Sequence, residues 1–218
     1  IIGAGPAGSA AARLLAECGH RVRLVDRPAG TRRPLAESIP PSARKTLSAL
    51  NMVNAVDAAG FLPWQGNTVW WADAPPRVEV FPSGESGYQV ERGRFDALLR
   101  DLAVEAGAEI VRGVVRDVML DDEVAATIDV DGRTTRVTAR FILDCSGRAG
   151  VVARKGLRET EPSHHTVALA GVWRARTSWP ETERTHTLVA SHDDGWAWSV
   201  PTEPDVRYVT VMVDPERT

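Results

Sequence analysis

The stretch Ile1-Ile2-Gly3-Ala4-Gly5-Pro6-Ala7-Gly8-Ser9 decides how everything downstream is read. A strand that ends in Gly-x-Gly-x-x-Gly and passes straight into a helix leaves the first helical N–H groups unpaired and pointing outward, where they attract a pyrophosphate. Gly3 permits the tight turn, Gly5 has no Cβ to obstruct an approaching phosphate, and Gly8 lets helix and strand pack closely. Pro6 suits the first helical position, where its missing N–H costs nothing. Outward from the turn, residues 10–18 are helix formers with Gly19 as a stop signal, and residues 21–25 alternate like a strand that ends at Asp26. An acid there is placed to bind a ribose hydroxyl, so the stretch predicts dinucleotide binding on a βαβ unit. A βαβ unit without a ligand is the plain structural alternative.

The 218 residues include 43% hydrophobic ones, enough for a packed globular core. The net charge of −3, with no lysine or arginine block, gives no basic field, so no nucleic-acid partner is expected. The longest apolar run, residues 167–173, is too short to span a bilayer, and no charged-then-apolar signal segment occurs; a soluble, cytoplasmic protein is expected. The only cysteines, Cys18 and Cys145, read as buried free thiols rather than a disulfide framework. No metal cluster has plausible ligand spacing. Ile1 stands two residues before the glycine turn and Thr218 follows a strand-like run, so a fragment is expected.

Beyond Asp26, residues 27–41 hold four prolines and no regular period, which predicts an extended loop. Helices are expected near 42–50 and 54–59, and strands at 68–71 and 78–81. Residues 93–106 carry apolar positions at helical spacing, and Gly107 ends them before a strand at 109–111. Asp131-Gly132 predicts a hairpin between strands at 124–130 and 134–139. The apolar run 141–143 predicts a strand buried on both faces, which would deliver Asp144-Cys145-Ser146-Gly147-Arg148 to its carboxyl end. Strands at 167–174, 185–190, 196–200 and 207–213 predict an antiparallel sheet. The expected fold is α/β: a Rossmann-like dinucleotide-binding domain with a β-rich, mainly antiparallel second sheet. The first domain is expected over residues 1–160, interrupted near 60–90 by substrate-side segments, with 161–218 expected as the start of a truncated substrate sheet.

The chain resembles the FAD-dependent aromatic hydroxylases and their relatives, the flavin-dependent halogenases. The resemblance rests on the glycine turn with Asp26, on Glu37-Ser38-Ile39-Pro40-Pro41, on Gly87-Tyr88-Gln89-Val90-Glu91-Arg92-Gly93-Arg94-Phe95-Asp96, on Asp144 to Arg148, and on Gly195-Trp196-Ala197-Trp198-Ser199-Val200-Pro201. It implies a Rossmann-like FAD-binding domain of glutathione-reductase type with a β-rich, mainly antiparallel substrate-side sheet, and FAD as cofactor, with Gly3, Gly5, Pro6, Ala7 and Gly8 at the pyrophosphate, Asp26 and the adjoining Arg27 at the adenosine end, and Val115 touching adenine through its backbone. Arg92 would reach phosphate or ribose, Asp144 and Gly147 would lie near the diphosphate, and Glu37 and Ser38 would face the ribityl and isoalloxazine region. For Asp144 a helix N-cap is an equally good reading, and for Trp196 and Trp198, two apart on a strand, so is packing in a sheet core.

The resemblance further implies a monooxygenase that hydroxylates an electron-rich, small-molecule or peptide-borne aromatic substrate through a flavin C4a-hydroperoxide, with a separate flavin reductase as a candidate partner. Halogenation is the alternative. Halogenases of this kind use a lysine placed before a tryptophan-bearing strand, whereas the corresponding residues 64–71 hold none and the chain has only Lys45 and Lys155; hydroxylation is therefore expected over halogenation. A geranylgeranyl-reductase-like activity and a non-catalytic nucleotide-binding module are the other readings. Glu37, Trp196 and Trp198 are candidates near flavin and substrate, while His164, His165, His186 and His192 are acid–base candidates by residue type alone.

Overall fold

The computed structural model describes residues 1–28, 35–120, 123–159, 161 and 166–215. Its elements run α1 (Pro6–Glu17), β1 (Arg23–Asp26), β2 (Ala36–Ile39), α2 (Ala43–Ala49), α3 (Val53–Ala58), β3 (Leu62–Trp64), β4 (Gly66–Trp70), β5 (Arg77–Val80), β6 (Gly87–Glu91), α4 (Arg92–Glu105) and β7 (Glu109–Arg112). They continue with β8 (Val114–Met119), β9 (Ala125–Val130), β10 (Arg133–Thr138), a short 3-10 turn at Gly147–Ala149, β11 (Val167–Arg174), α5 (Glu181–Thr185), β12 (His186–His192), β13 (Gly195–Glu203) and β14 (Val206–Val213). The chain divides into unit 1, Ile1–Arg32 with Asp96–Thr160, and unit 2, Arg33–Phe95 with Glu161–Thr218.

Unit 1 is the Rossmann-like body. β1 and β7 pair in parallel, and Ile2 bridges in parallel to Val25 on one side and Asp144 on the other. Backbone bonds from Gly3 N to Val25 O (2.8 Å) and from Cys145 N to Ile2 O (2.9 Å) hold the opening residues between those neighbours. Helix α1 comes close to this layer because its buried residues are small, Gly8, Ser9 and Ala12; Ala12 packs with Ala4, Val22, Leu24, Ala103 and Ala108 in one buried cluster. Strands β8, β9 and β10 form an antiparallel meander. Its turn has Asp131 and Gly132 at φ +48° and +79°, the conformation that an Asp-Gly hairpin requires.

Unit 2 contains an antiparallel three-stranded sheet, order β2-β6-β3, and a six-stranded sheet, order β11-β14-β13-β12-β4-β5. The larger sheet is antiparallel except where β12 runs parallel to β4. The α/β class and the mainly antiparallel second sheet agree with the sequence reading.

Several expectations are corrected. Residues 27–41 are not loop throughout: Ala36–Ile39 is a strand paired with β6, with Pro40 beyond its end rather than inside it. Residues 141–143 do not form a strand buried on both faces; the bridge from this stretch to Ile2 falls at Asp144, and Phe141 is 70% exposed with the Arg140 guanidinium over its ring. An apolar run alone does not supply a pairing partner. Cys18 is exposed just past the end of α1, and Cys145 is only half-buried. Helix α5, with Glu181 and Glu183 in its first turn where the helix dipole favours acids, was not anticipated.

Candidate functional site

In unit 1 the glycine turn is built as the spacing requires. Gly3 has φ +97°, and a Cβ there would strike the Cys145 carbonyl oxygen; a Cβ on Gly8 would strike the Gly3 carbonyl oxygen. Both positions are thereby restricted to glycine by backbone contacts. Gly5 is the N-cap of α1, makes no side-chain cap, is followed by Pro6, and no acid lies in the first turn. The helix start therefore keeps its donors and its positive dipole end for an anion, which is the arrangement a pyrophosphate fits.

Asp26 ends β1 with only 2% of its surface exposed. Its carboxylate is not isolated: Arg112, directly opposite on β7, pairs with Oδ2, and the Arg100 guanidinium of α4 lies 3.6 Å from the same oxygen. Neither arginine was found from the sequence, because the β1–β7 register that aligns Asp26 with Arg112 is a long-range property. Arg27, the next residue, is exposed.

Asp144 is held locally. Its Oδ1 accepts from Ser146 N (3.1 Å) and Ser146 Oγ, and its Oδ2 accepts from Val152 N (2.7 Å) and Ala153 N (3.3 Å). Partial burial pushes this carboxyl up, but the hydrogen bonds from Ser146, Val152 and Ala153 outweigh it and keep it below the usual carboxylate value. Asp144 is therefore not a helix N-cap: the 3-10 turn is capped at Ser146 without a side-chain bond, and the Asp144 carboxylate instead ties the turns at Ser146 and at Val152-Ala153 together. Gly147 follows at φ +62°, and Val115 lies on β8 beside a register shift.

In unit 2, Arg92 starts α4 and its Nη1 donates to Glu37 Oε1 at 2.6 Å, while its backbone N–H donates to Leu35 O at 2.8 Å. The structure thus joins two residues that the sequence reading had named separately. Ser38 hydrogen-bonds both Gln89 and Thr187, partners the sequence did not indicate. Trp196 and Trp198 stack with ring centroids 4.9 Å apart, and Trp196 is 37% exposed, so the pair is not a sealed core. Trp64 packs edge-on against Phe81 and donates its indole N–H to Gly66 O at 2.7 Å.

Of the histidines, His186 is buried on β12 with Nδ1 3.0 Å from Thr68 Oγ1, and burial lowers its pKa. His192 is exposed at the end of β12, where its Nδ1 accepts from Asp194 N. His164 and His165 lie outside the described residues. Among the described residues no group of three His, Cys, Asp or Glu side chains could hold a metal ion, and no helix there is long and apolar enough to cross a membrane.

Taken with the pairing around Ile2, the turn defines a Rossmann-type dinucleotide fold joined to a β-rich second unit, the architecture of FAD-dependent oxidoreductases. The family follows from comparison. Residues 71–212 match the model of the tryptophan halogenase family and residues 1–31 that of an NAD(P)-binding Rossmann-like domain; the chain belongs to the tryptophan halogenase family. It is similar to the tryptophan 2-halogenase of Chondromyces crocatus, 30% identical over 99% of this chain and 43% of the relative. The crystal structure of CmlS, a flavin-dependent halogenase, is similar at 28% identity and a TM-score of 0.90, covering 99% of this chain and 41% of that one. The peptidyl tryptophan dihydroxylase QhpG, essential for tryptophylquinone cofactor biogenesis, is similar at 26% identity and a TM-score of 0.67, covering 98% of this chain and 45% of that one. The chain thus spans about half the length of the relatives it matches. FAD is the cofactor of this fold and family, and the glycine turn fits it.

Proposed function

We propose that the protein uses reduced FAD and oxygen to oxidise an electron-rich aromatic substrate, and that it does so as a halogenase. The carrying observation is the halogenase-family match over residues 71–212, in a chain whose first turn is shaped for a pyrophosphate. When bound, the flavin supplies the activation of oxygen. The rest falls to the protein's own backbone and side-chain groups. Gly3, Gly5, Pro6, Ala7 and Gly8 hold the pyrophosphate at the start of α1, and Asp26 binds the adenosine ribose with Arg27 beside it. Val115 touches adenine, and Asp144 keeps the Gly147 turn in shape near the diphosphate. Arg92, steadied by Glu37, reaches a phosphate or ribose oxygen, and Ser38 meets the ring end. The stacked Trp196 and Trp198 offer an aromatic face to the substrate. A separate flavin reductase supplies the reduced cofactor.

Hydroxylation, the preferred expectation from sequence, is kept as a second reading because of one observation. Residues 64–71 contain no lysine, and Trp64 in that stretch uses its only polar hydrogen on Gly66 O. No amine stands there to hold an oxidised halide. The similarity to a peptidyl tryptophan dihydroxylase supports the same reading. Product mass decides between them when the full-length protein receives reduced FAD, oxygen and tryptophan-containing or pyrrole substrates, with and without bromide. A bromine gained only with bromide supports the first reading. An oxygen gained regardless of bromide replaces it with the second.

A further inference from the structure

Ser38, Gln89 and Thr187 form a buried polar string inside unit 2. Ser38 on β2 stands directly opposite Gln89 on β6. Its hydroxyl donates to Gln89 Oε1 at 3.0 Å and shares a second hydrogen bond with the Thr187 hydroxyl of β12. Gln89 is fully buried, and among the described residues its Nε2 has no hydrogen-bond partner. Buried donors are almost always paired, so this amide is unusual: one pole works and the other is idle.

That imbalance allows two settings. A half-turn of the planar carboxamide makes its N–H2 the donor to Ser38 Oγ and its oxygen the idle pole. The two ends of an amide are so nearly alike in size that they exchange places without new space, and the count of hydrogen bonds is unchanged. In the first setting the Ser38 proton is committed to Gln89, so Thr187 must be the donor to Ser38, and Ser38 keeps a lone pair for a ligand N–H. In the second, Gln89 donates to Ser38 and the Ser38 proton is released toward a ligand acceptor. Ser38 is only half-buried and can meet a ligand, whereas Gln89 and Thr187 are enclosed behind it.

We propose that Gln89 is a two-way positioning residue that lets the Ser38 hydroxyl face FAD either as acceptor or as donor. The inference rests on the reading that Ser38 contacts the cofactor. Two-electron reduction of an isoalloxazine converts a ring nitrogen from an acceptor to an N–H donor, so the oxidised and reduced rings ask for opposite partners at one point. The Thr187–Ser38–Gln89 string supplies either partner without losing a hydrogen bond, which would keep both redox forms held during turnover.

The test uses full-length, FAD-loaded protein, oxidised and then reduced with dithionite under argon. Selective 15N-glutamine labelling assigns the Gln89 side-chain amide as the pair of resonances lost in a Gln89→Met or Gln89→Glu variant. Its resonances are expected to move between the two redox forms. Gln89→Met is expected to change the ratio of affinities for oxidised and reduced FAD severalfold, while Thr187→Ser, which keeps the hydroxyl, preserves it. Coincident Gln89 resonances in both forms, in protein that holds FAD, overturn the inference; so does an unchanged affinity ratio in Gln89→Met. If Gln89→Met does not fold, the resonances of the wild-type protein decide. Wild-type protein that holds no FAD overturns the cofactor reading itself, and the inference with it.

Discussion

Replacing Gly8 by alanine tests the opening turn at its tightest point. A Cβ at this position meets the Gly3 carbonyl oxygen head-on, has the Gly3 carbonyl carbon at 3.0 Å and lies 3.2 Å from the Cys145 Cβ. The first two are backbone atoms that no rotamer change can move aside, so α1 must shift away from residues 1–3. Forcing one methyl into a filled site costs about 1–3 kcal/mol, and about 2 kcal/mol lowers the melting temperature of a chain of this length by roughly 4–8 °C. The same shift displaces the helix start that holds the pyrophosphate. FAD at one hundred times its Kd stabilises the wild-type protein by about 2.7 kcal/mol, and Gly8→Ala is expected to lose most of that increment. Urea unfolding of both proteins, with and without FAD, measures the two effects separately. A variant with wild-type midpoints in both conditions would refute the close-packing account of this glycine.

Two further outcomes follow from unit 2. Asp57 accepts hydrogen bonds from Arg44 (2.6 Å) and the Tyr88 hydroxyl (2.7 Å), which hold its pKa at about 2 against an ordinary 3.8. Because the folded value is the lower one, this stabilisation is complete above 3.8 and is lost as the pH falls toward about 2. Asp57→Asn should therefore flatten the acid limb of the stability profile over that window, and urea midpoints that fall in parallel for variant and wild type would contradict it. Arg207, 2% exposed, donates to Ser199 Oγ, Glu183 O, His186 O and Ser199 O, and burial lowers its pKa to about 10. Arg207→Lys keeps the charge but not the fork of donors, so it should cost about 2–4 kcal/mol of stability at about 1 kcal/mol per bond, read from denaturant melts; a loss under about 0.5 kcal/mol, the size of an ordinary surface change, would argue against the buried clamp.

What the sequence made legible was what is encoded locally. Gly3 and Gly8 are dictated by backbone collisions within a few residues of one turn and its strand neighbour, and Asp131-Gly132 carries its own dihedral requirement. The alternation in β12, β13 and β14 likewise announces strands without reference to their partners. The features missed depend on which strands become neighbours. Arg112 meets Asp26 only through the parallel β1–β7 register. Gln89 gains meaning only once β6 lies beside β2 and Thr187 comes to Ser38. β2 was hidden because prolines around it resembled a loop, and Phe141 was misjudged because an apolar run was read as a buried strand without a partner to bury it. The choice between halogenation and hydroxylation shows the same limit. The missing lysine and the resemblance to FAD-dependent hydroxylases and halogenases were both visible in the sequence, whereas the weight toward halogenation came from the family match over residues 71–212.

The central claim, an FAD site at the opening turn, is tested most directly by titrating the purified protein with FAD while following flavin fluorescence, beside its Gly5→Val variant. Saturable binding of one FAD per chain by the wild-type protein, lost in a Gly5→Val protein that stays folded and soluble, is the predicted result. Equal FAD binding by both proteins, or none by the wild type, would contradict it.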